Sequence, residues 1–163
     1  KHAIPGTPGL EHRLGGLEKD ALTGNVSYDP DNHEVMCKVR QEKVERVANF
    51  IPNQEIFGDD KGDVLVVGWG GTYGSLYTAV KELRQDNKDV TLAHFNYINP
   101  LPKNTAEIFA NYKTIVVCEI NNGQFVNILR MNFPEFRFEQ FNHIQGLPFQ
   151  TAELKEHFNT LLS

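Results

Sequence analysis

Cysteine is scarce: Cys37 and Cys118 are the only two in the chain. That excludes a disulfide framework, and it excludes an iron–sulfur cluster held by this chain alone, because such a cluster takes four thiolates at short spacings. Cys118 closes the apolar run Ile115-Val-Val-Cys118, where a thiol packs as a small hydrophobe, and a cytoplasmic setting is expected. Long apolar runs are missing as well. Val64-Leu-Val-Val67 falls far short of the ~20 residues a membrane helix needs, and no signal-like segment is present. Basic residues are in deficit, 16 Lys and Arg against 21 Asp and Glu for a net charge of -5. Without clustered positive charge, neither nucleic acid nor a membrane surface is an expected partner.

Catalytic signatures are equally sparse. His2, His12, His33, His94, His143 and His157 are scattered, with no His pair at ligand spacing, so no zinc site is expected. No Gly-x-Ser-x-Gly elbow occurs, and neither cysteine sits in a nucleophile signature. Glu119, at the end of an apolar run, could act as an acid or base, but a lone carboxylate there more commonly caps a helix or organises a loop.

What is present is an ordinary globular balance, 40% hydrophobic and 23% charged residues, sufficient for one core that buries roughly two thirds of the unfolded surface. The first residue is Lys1 and the chain opens on Ile4-Pro-Gly-Thr-Pro-Gly9, which suggests an excised piece. Residues 1–30 carry five glycines and three prolines without an apolar period, as an extended linker arm would; residues 31–163 form the folded domain. A helix is expected to start after Asp31, with Glu34 completing a capping box, and to end at Ile51 before Pro52. Val44, Val47, Ala48 and Ile51 are its expected buried stripe.

Three strand–loop–helix units follow. The strands are Asp63–Gly68, Asp89–Phe95 and Thr114–Glu119. The helices run through Tyr73, Leu76, Tyr77, Val80 and Leu83, from Asn104 with Glu107 as reciprocal cap, and through Phe125, Ile128 and Leu129. Phe136 to Ile144 reads as a half-exposed edge strand, and Leu154, Phe158, Leu161 and Leu162 as a closing helix. Near-continuous apolar strands alternating with helices predict an α/β fold with a parallel sheet covered on both faces.

Ligands and partners of such sheets gather at the carboxyl ends of the strands. Gly68-Trp-Gly-Gly-Thr72, His94-Phe-Asn-Tyr-Ile-Asn99 and Glu119-Ile-Asn-Asn-Gly-Gln124 are placed there. The first has glycines before a helix N-terminus, as phosphate loops do. It departs from the dinucleotide fingerprint: Tyr73 stands where the last Gly belongs, and no acidic residue follows the second strand. Trp69, Gly70, Gly71 and Thr72 with Asn121, Asn122 and Gln124 are expected to form one surface, with Trp69 partly exposed, Thr72 capping one helix and Asn121 or Asn122 the other.

Pro5-Gly-Thr-Pro-Gly-Leu-Glu-His-Arg-Leu-Gly-Gly-Leu-Glu18, Thr23-Gly-Asn-Val-Ser27 and His33 closely resemble the α subunit of 2-oxoacid:ferredoxin oxidoreductases, especially the 2-oxoglutarate enzymes. Gly68-Trp-Gly-Gly-Thr72, Asn99-Pro-Leu-Pro102, Glu119-Ile-Asn-Asn-Gly-Gln124, Arg130, Gln140-Phe-Asn142 and Gly146-Leu-Pro-Phe149 are similar to that subunit's C-terminal domain, in the same order. The resemblance implies a transketolase C-terminal-domain-like, three-layer α/β/α sandwich with a mostly parallel sheet and one antiparallel strand, for which Glu55-Ile-Phe57 is a candidate. It implies a parent enzyme that decarboxylates 2-oxoglutarate oxidatively to succinyl-CoA and reduces ferredoxin, using thiamine diphosphate, magnesium, iron–sulfur clusters and coenzyme A.

The thiamine-binding domains would lie outside this chain, which has no Gly-Asp-Gly motif, so no catalytic, cofactor-binding or metal-binding residue is carried over. The arm then resembles a connector lying against other domains, with Arg13 beside Glu11 as an interface candidate. Three functions stay open: a structural and assembly domain contacting other domains and subunits of the parent, a self-contained nucleotide-binding module, and a flavodoxin-like electron carrier.

Overall fold

A computed structural model describes residues 3–12 and 15–162. The chain divides into two compact units, residues 1–47 and 48–163. The division falls after Val47 because the end of the arm is tied to the helix that follows it. The buried Asn32 amide donates to Lys19 O and accepts from Ala21 N, both at 3.0 Å.

In the first unit the arm carries a tight turn. The Asp20 carboxylate accepts from the Leu22 and Thr23 amides, Gly24 takes a φ of +75°, and an antiparallel bridge joins Lys19 to Val26. Helix α1 spans Pro30–Glu45, with Asp29 as N-cap accepting from Asp31 N. The start is therefore earlier than expected, since Pro30 has no N–H to satisfy and its fixed φ suits the first helical position. Glu34 pairs with Lys38 rather than closing a capping box. The helix gives way to a 3-10 turn over Arg46–Asn49 instead of running on to Ile51. The expected stripe is not a buried one: Val44 and Val47 are each 43% exposed, and Asn32 is the only buried residue of α1. The helix is held within its unit by polar contacts to the arm.

The second unit is a four-stranded parallel sheet. Strands β1 (Gly62–Trp69), β2 (Val90–Phe95), β3 (Tyr112–Glu119) and β4 (Phe138–Asn142) lie in the order β2-β1-β3-β4. Val64 is in register with Val90 and Thr114, and Ile115 with Phe138. Helices α2 (Tyr73–Gln85), α3 (Thr105–Ala110), α4 (Gln124–Asn132) and α5 (Thr151–Leu161) cover both faces.

Strand residues alternate between the two cores. Val64, Val66, Leu92 and Val116 pack with Leu76, Val80, Leu154 and Phe158 of α2 and α5. Leu65, Val67, Ile115 and Val117 pack with Phe109, Phe125 and Leu129 of α3 and α4. Residues Val64 to Val67 have no accessible surface, which is why β1 reads as an unbroken apolar run. Edge strand β4 buries only Phe138.

Two local expectations fail. No antiparallel strand forms among the described residues: Glu55-Ile-Phe57 contributes one bridge, Phe57 exchanging both backbone hydrogen bonds with Leu92 at 2.8 and 3.0 Å. Gly58, at φ +141° and with no room for a Cβ against Thr91, turns the chain away directly afterwards. Asn104 does not cap α3 with its side chain. Its amide instead accepts from Gln54 N at 2.8 Å and donates to Gln54 O at 3.0 Å, a two-sided match that a capping bond cannot equal.

Candidate functional site

From β1 the chain crosses to β2 on one side, and β3 returns to the other side of β1. The carboxyl ends of β1 and β3 therefore flank the switch point, where open α/β sheets leave a ligand crevice. Trp69 and Glu119 terminate these strands, and here they close that crevice. The Trp69 indole Nε1 donates to Glu119 Oε1 at 3.1 Å. The same carboxylate, fully buried, accepts from Phe125 N at 2.8 Å and Val126 N at 3.0 Å. Gln124 N donates to Asn121 Oδ1 at 3.2 Å, and Asn127 N to Gly123 O at 3.2 Å.

Every backbone N–H in the first turn of α4 is thus satisfied within the protein. A helix N-terminus attracts anions because its N–H groups are free and its dipole end is positive. In α4 that capacity is already taken by the chain's own carboxylate. A diphosphate at the α4 N-terminus would face Glu119 rather than free donors, so that turn does not fit a thiamine diphosphate or a nucleotide. Of the cysteines, Cys118 is fully buried, and burial pushes its thiol well above the usual range, followed by the charge of Glu119. It is inert as a ligand or nucleophile.

Glu119 therefore caps α4 and organises the loop. Asn121 caps as expected, also accepting from Gly123 N at 2.8 Å, while the Asn142 amide donates to Asn121 O at 2.9 Å. Gly123 is needed at φ +88°, where a Cβ would crowd Val126 and Gln140. Thr72 does not cap α2. Its hydroxyl turns back on Trp69, donating to O at 2.9 Å and accepting from N at 3.2 Å, which fixes the Trp69 backbone.

Trp69, Gly70, Gly71, Thr72, Asn121, Asn122 and Gln124 come together on one edge of the sheet. Trp69 and Asn121 are half-buried; Gly70, Gly71, Asn122 and Gln124 are exposed; Thr72 is buried. Arg13 lies outside the described residues. The Trp69–Glu119 bond has no sequence signal, since the partners are separated by β2 and α3 and meet only because β3 sits beside β1.

Beside this edge, on the β2 side, lies a cleft of about 610 Å³ lined by Gln54, Gly70, Tyr73, His94, Asn96 and Tyr97 among others. Burial holds His94 below the usual histidine range, against the opposing pull of the Gly70 and Trp69 backbone carbonyls. Tyr73 meets its ring edge-on at 5.1 Å. No sequence motif marks the cleft, although His94 and its neighbours read as a strand end. Among the described residues, no helix is long and apolar enough to cross a membrane.

No protein-family model matches the chain. It is 42% identical to the 2-oxoglutarate oxidoreductase subunit KorA of Mycobacterium tuberculosis over 78% of this chain and 19% of that protein. It is 30% identical to the α subunit of the 2-oxoacid:ferredoxin oxidoreductase 1 of Aeropyrum pernix, over 71% and 19%. The chain thus spans about a fifth of the length of these relatives. Among solved structures it matches a 2-oxoglutarate:ferredoxin oxidoreductase from Magnetococcus marinus bearing 2-oxoglutarate, coenzyme A and succinyl-CoA. The TM-score there is 0.88 at 29% identity, covering 99% of this chain and 28% of that one. A split-gene transketolase in an inactive tetramer shares the fold at a TM-score of 0.50 and 12% identity.

Proposed function

Because this chain is homologous over most of its length to the α subunits of 2-oxoacid:ferredoxin oxidoreductases, we propose that it serves as a non-catalytic structural and assembly domain of such an enzyme. The parent would be a thiamine diphosphate-dependent 2-oxoglutarate:ferredoxin oxidoreductase, converting 2-oxoglutarate and coenzyme A to succinyl-CoA with reduction of ferredoxin. The observation that carries the reading is the closed crevice: the ligand position of an α/β sheet is filled by Trp69 and Glu119. What remains between the ends of β1 and β3 is a closed surface rather than an open crevice. The rival nucleotide-binding reading rests on the Gly68-Trp-Gly-Gly-Thr72 loop before α2, which departs from the dinucleotide fingerprint at Tyr73.

The edge that presents Gly70, Gly71, Asn122 and the face of Trp69 is the interface with another domain or subunit of the parent. Aromatic residues are enriched in the cores of such interfaces, and the neighbouring Ile120 is 43% exposed. Gly71 has no positive φ and nothing within 4 Å of its missing Cβ, so a large side chain there leaves this fold intact while altering the surface. In the full enzyme, Gly71→Trp is expected to lower subunit association or 2-oxoglutarate-dependent ferredoxin reduction at least severalfold, and the isolated chain carrying it is expected to keep its denaturation midpoint. Unchanged assembly and activity would show that this edge is not an interface. The isolated chain, given 2-oxoglutarate, coenzyme A, thiamine diphosphate, magnesium and an electron acceptor, is expected to form no succinyl-CoA.

A further inference from the structure

The first unit holds a cluster of donor atoms that the domain's proposed role does not use. His33 and Cys37 lie one turn apart on the same face of α1, with His33 Nε2 3.7 Å from Cys37 Sγ. The other ring nitrogen, Nδ1, is 2.9 and 3.0 Å from the two Glu18 oxygens. Glu18 is in turn held by Arg40 Nη2 at 2.9 Å, its side chain only 15% exposed. One donor atom from each of Glu18, His33 and Cys37 lies within 4.8 Å of the others.

The order of these contacts assigns roles. A carboxylate on Nδ1 keeps the imidazole proton there and leaves the Nε2 lone pair directed at the sulfur, the arrangement that orients metal-bound histidines. Tetrahedral zinc bonds of roughly 2.0–2.1 Å to nitrogen and 2.3 Å to sulfur place those two ligands about 3.6 Å apart, close to the observed separation. The Arg40 guanidinium lies 3.3 Å from Sγ, and a metal takes a cysteine as its thiolate. With Cys37 as thiolate, the negative charges of Cys37 and Glu18 exceed the positive charge of Arg40, so the cluster welcomes a cation. A nitrogen and a thiolate select a borderline metal over magnesium or calcium, which take oxygen ligands. A search for His pairs passes over this site because its second ligand is a cysteine.

We propose that His33 Nε2 and Cys37 Sγ bind a divalent metal ion of the zinc class, with Glu18 as the positioning residue behind His33 and the remaining coordination positions open to water. The site is independent of the proposed assembly role. The test is titration of the reduced 163-residue chain with cobalt(II), read by the thiolate-to-cobalt charge-transfer absorption in the near ultraviolet.

The expected result is a saturable band that stoichiometric zinc bleaches and excess magnesium leaves untouched. Cys37→Ser removes the band, and His33→Ala, at an exposed position, weakens cobalt binding at least tenfold. Glu18→Gln weakens it about 10- to 100-fold with helix content by circular dichroism unchanged. No band with the unmodified chain, a band that magnesium displaces, or equal cobalt affinity in His33→Ala would overturn the proposal.

Discussion

Glu119 shows how one side chain can settle what a site does. Its buried carboxylate accepts three N–H donors, from Trp69, Phe125 and Val126. Bonds to a charged acceptor contribute roughly 1.5–3 kcal/mol each, and the positive end of α4 adds to them. Glu119→Gln places an NH₂ group against backbone donors and is expected to cost about 2–3 kcal/mol, measured by chemical denaturation. Trp69→Phe keeps a ring beside Phe125 but removes one donor, and about 1 kcal/mol is expected.

Two histidines set the pH response. Burial lowers His94 and His157 below the ordinary histidine value, and the buried His157 Nε2 has no hydrogen-bond partner among the described residues. In both cases the unfolded chain takes up the proton first. Stability is therefore fully present above about pH 6.5 and falls as the pH drops below it. Denaturant midpoints measured on either side of that pH are expected to show the decline, and His157→Phe, which keeps an aromatic ring against Phe141, to reduce it.

Among the elements, the strands were legible and some helix ends were not. Val64–Val67 and Ile115–Cys118 are buried on both faces, so their β-branched runs carry the signal directly. Caps depend on what else competes for the capping group: Asn104 looked like a cap until Gln54 came within reach, and Thr72 until Trp69 did. The α1 stripe failed for a related reason, since apolar spacing at Val44 and Val47 says nothing about whether a partner surface is present.

Glycines sort in the same way. Gly68 sits where a Cβ would strike Leu76 and press on Thr72 Oγ1, so Gly68→Ala is expected to destabilise the sheet–α2 contact by about 1–3 kcal/mol. Gly71→Ala, in open space, is expected to leave the denaturation midpoint where it was.

For the molecule as a whole, the α/β class with a parallel sheet covered on both faces followed from the strand–helix alternation, but the meaning of the carboxyl edge did not. Trp69 and Glu119 meet because the strand order is β2-β1-β3-β4, and neighbour order within a sheet is not written in the periodicity of any one strand. That contact closes the N-terminus of α4 from within.

The most direct measurement is calorimetric titration of the 163-residue chain with thiamine diphosphate plus magnesium, NAD, FMN and coenzyme A in turn. A crevice closed by Trp69 and Glu119 predicts no saturable heat with any of them. A one-to-one isotherm with any of the four, lost when Gly71 is replaced by Trp, would contradict it.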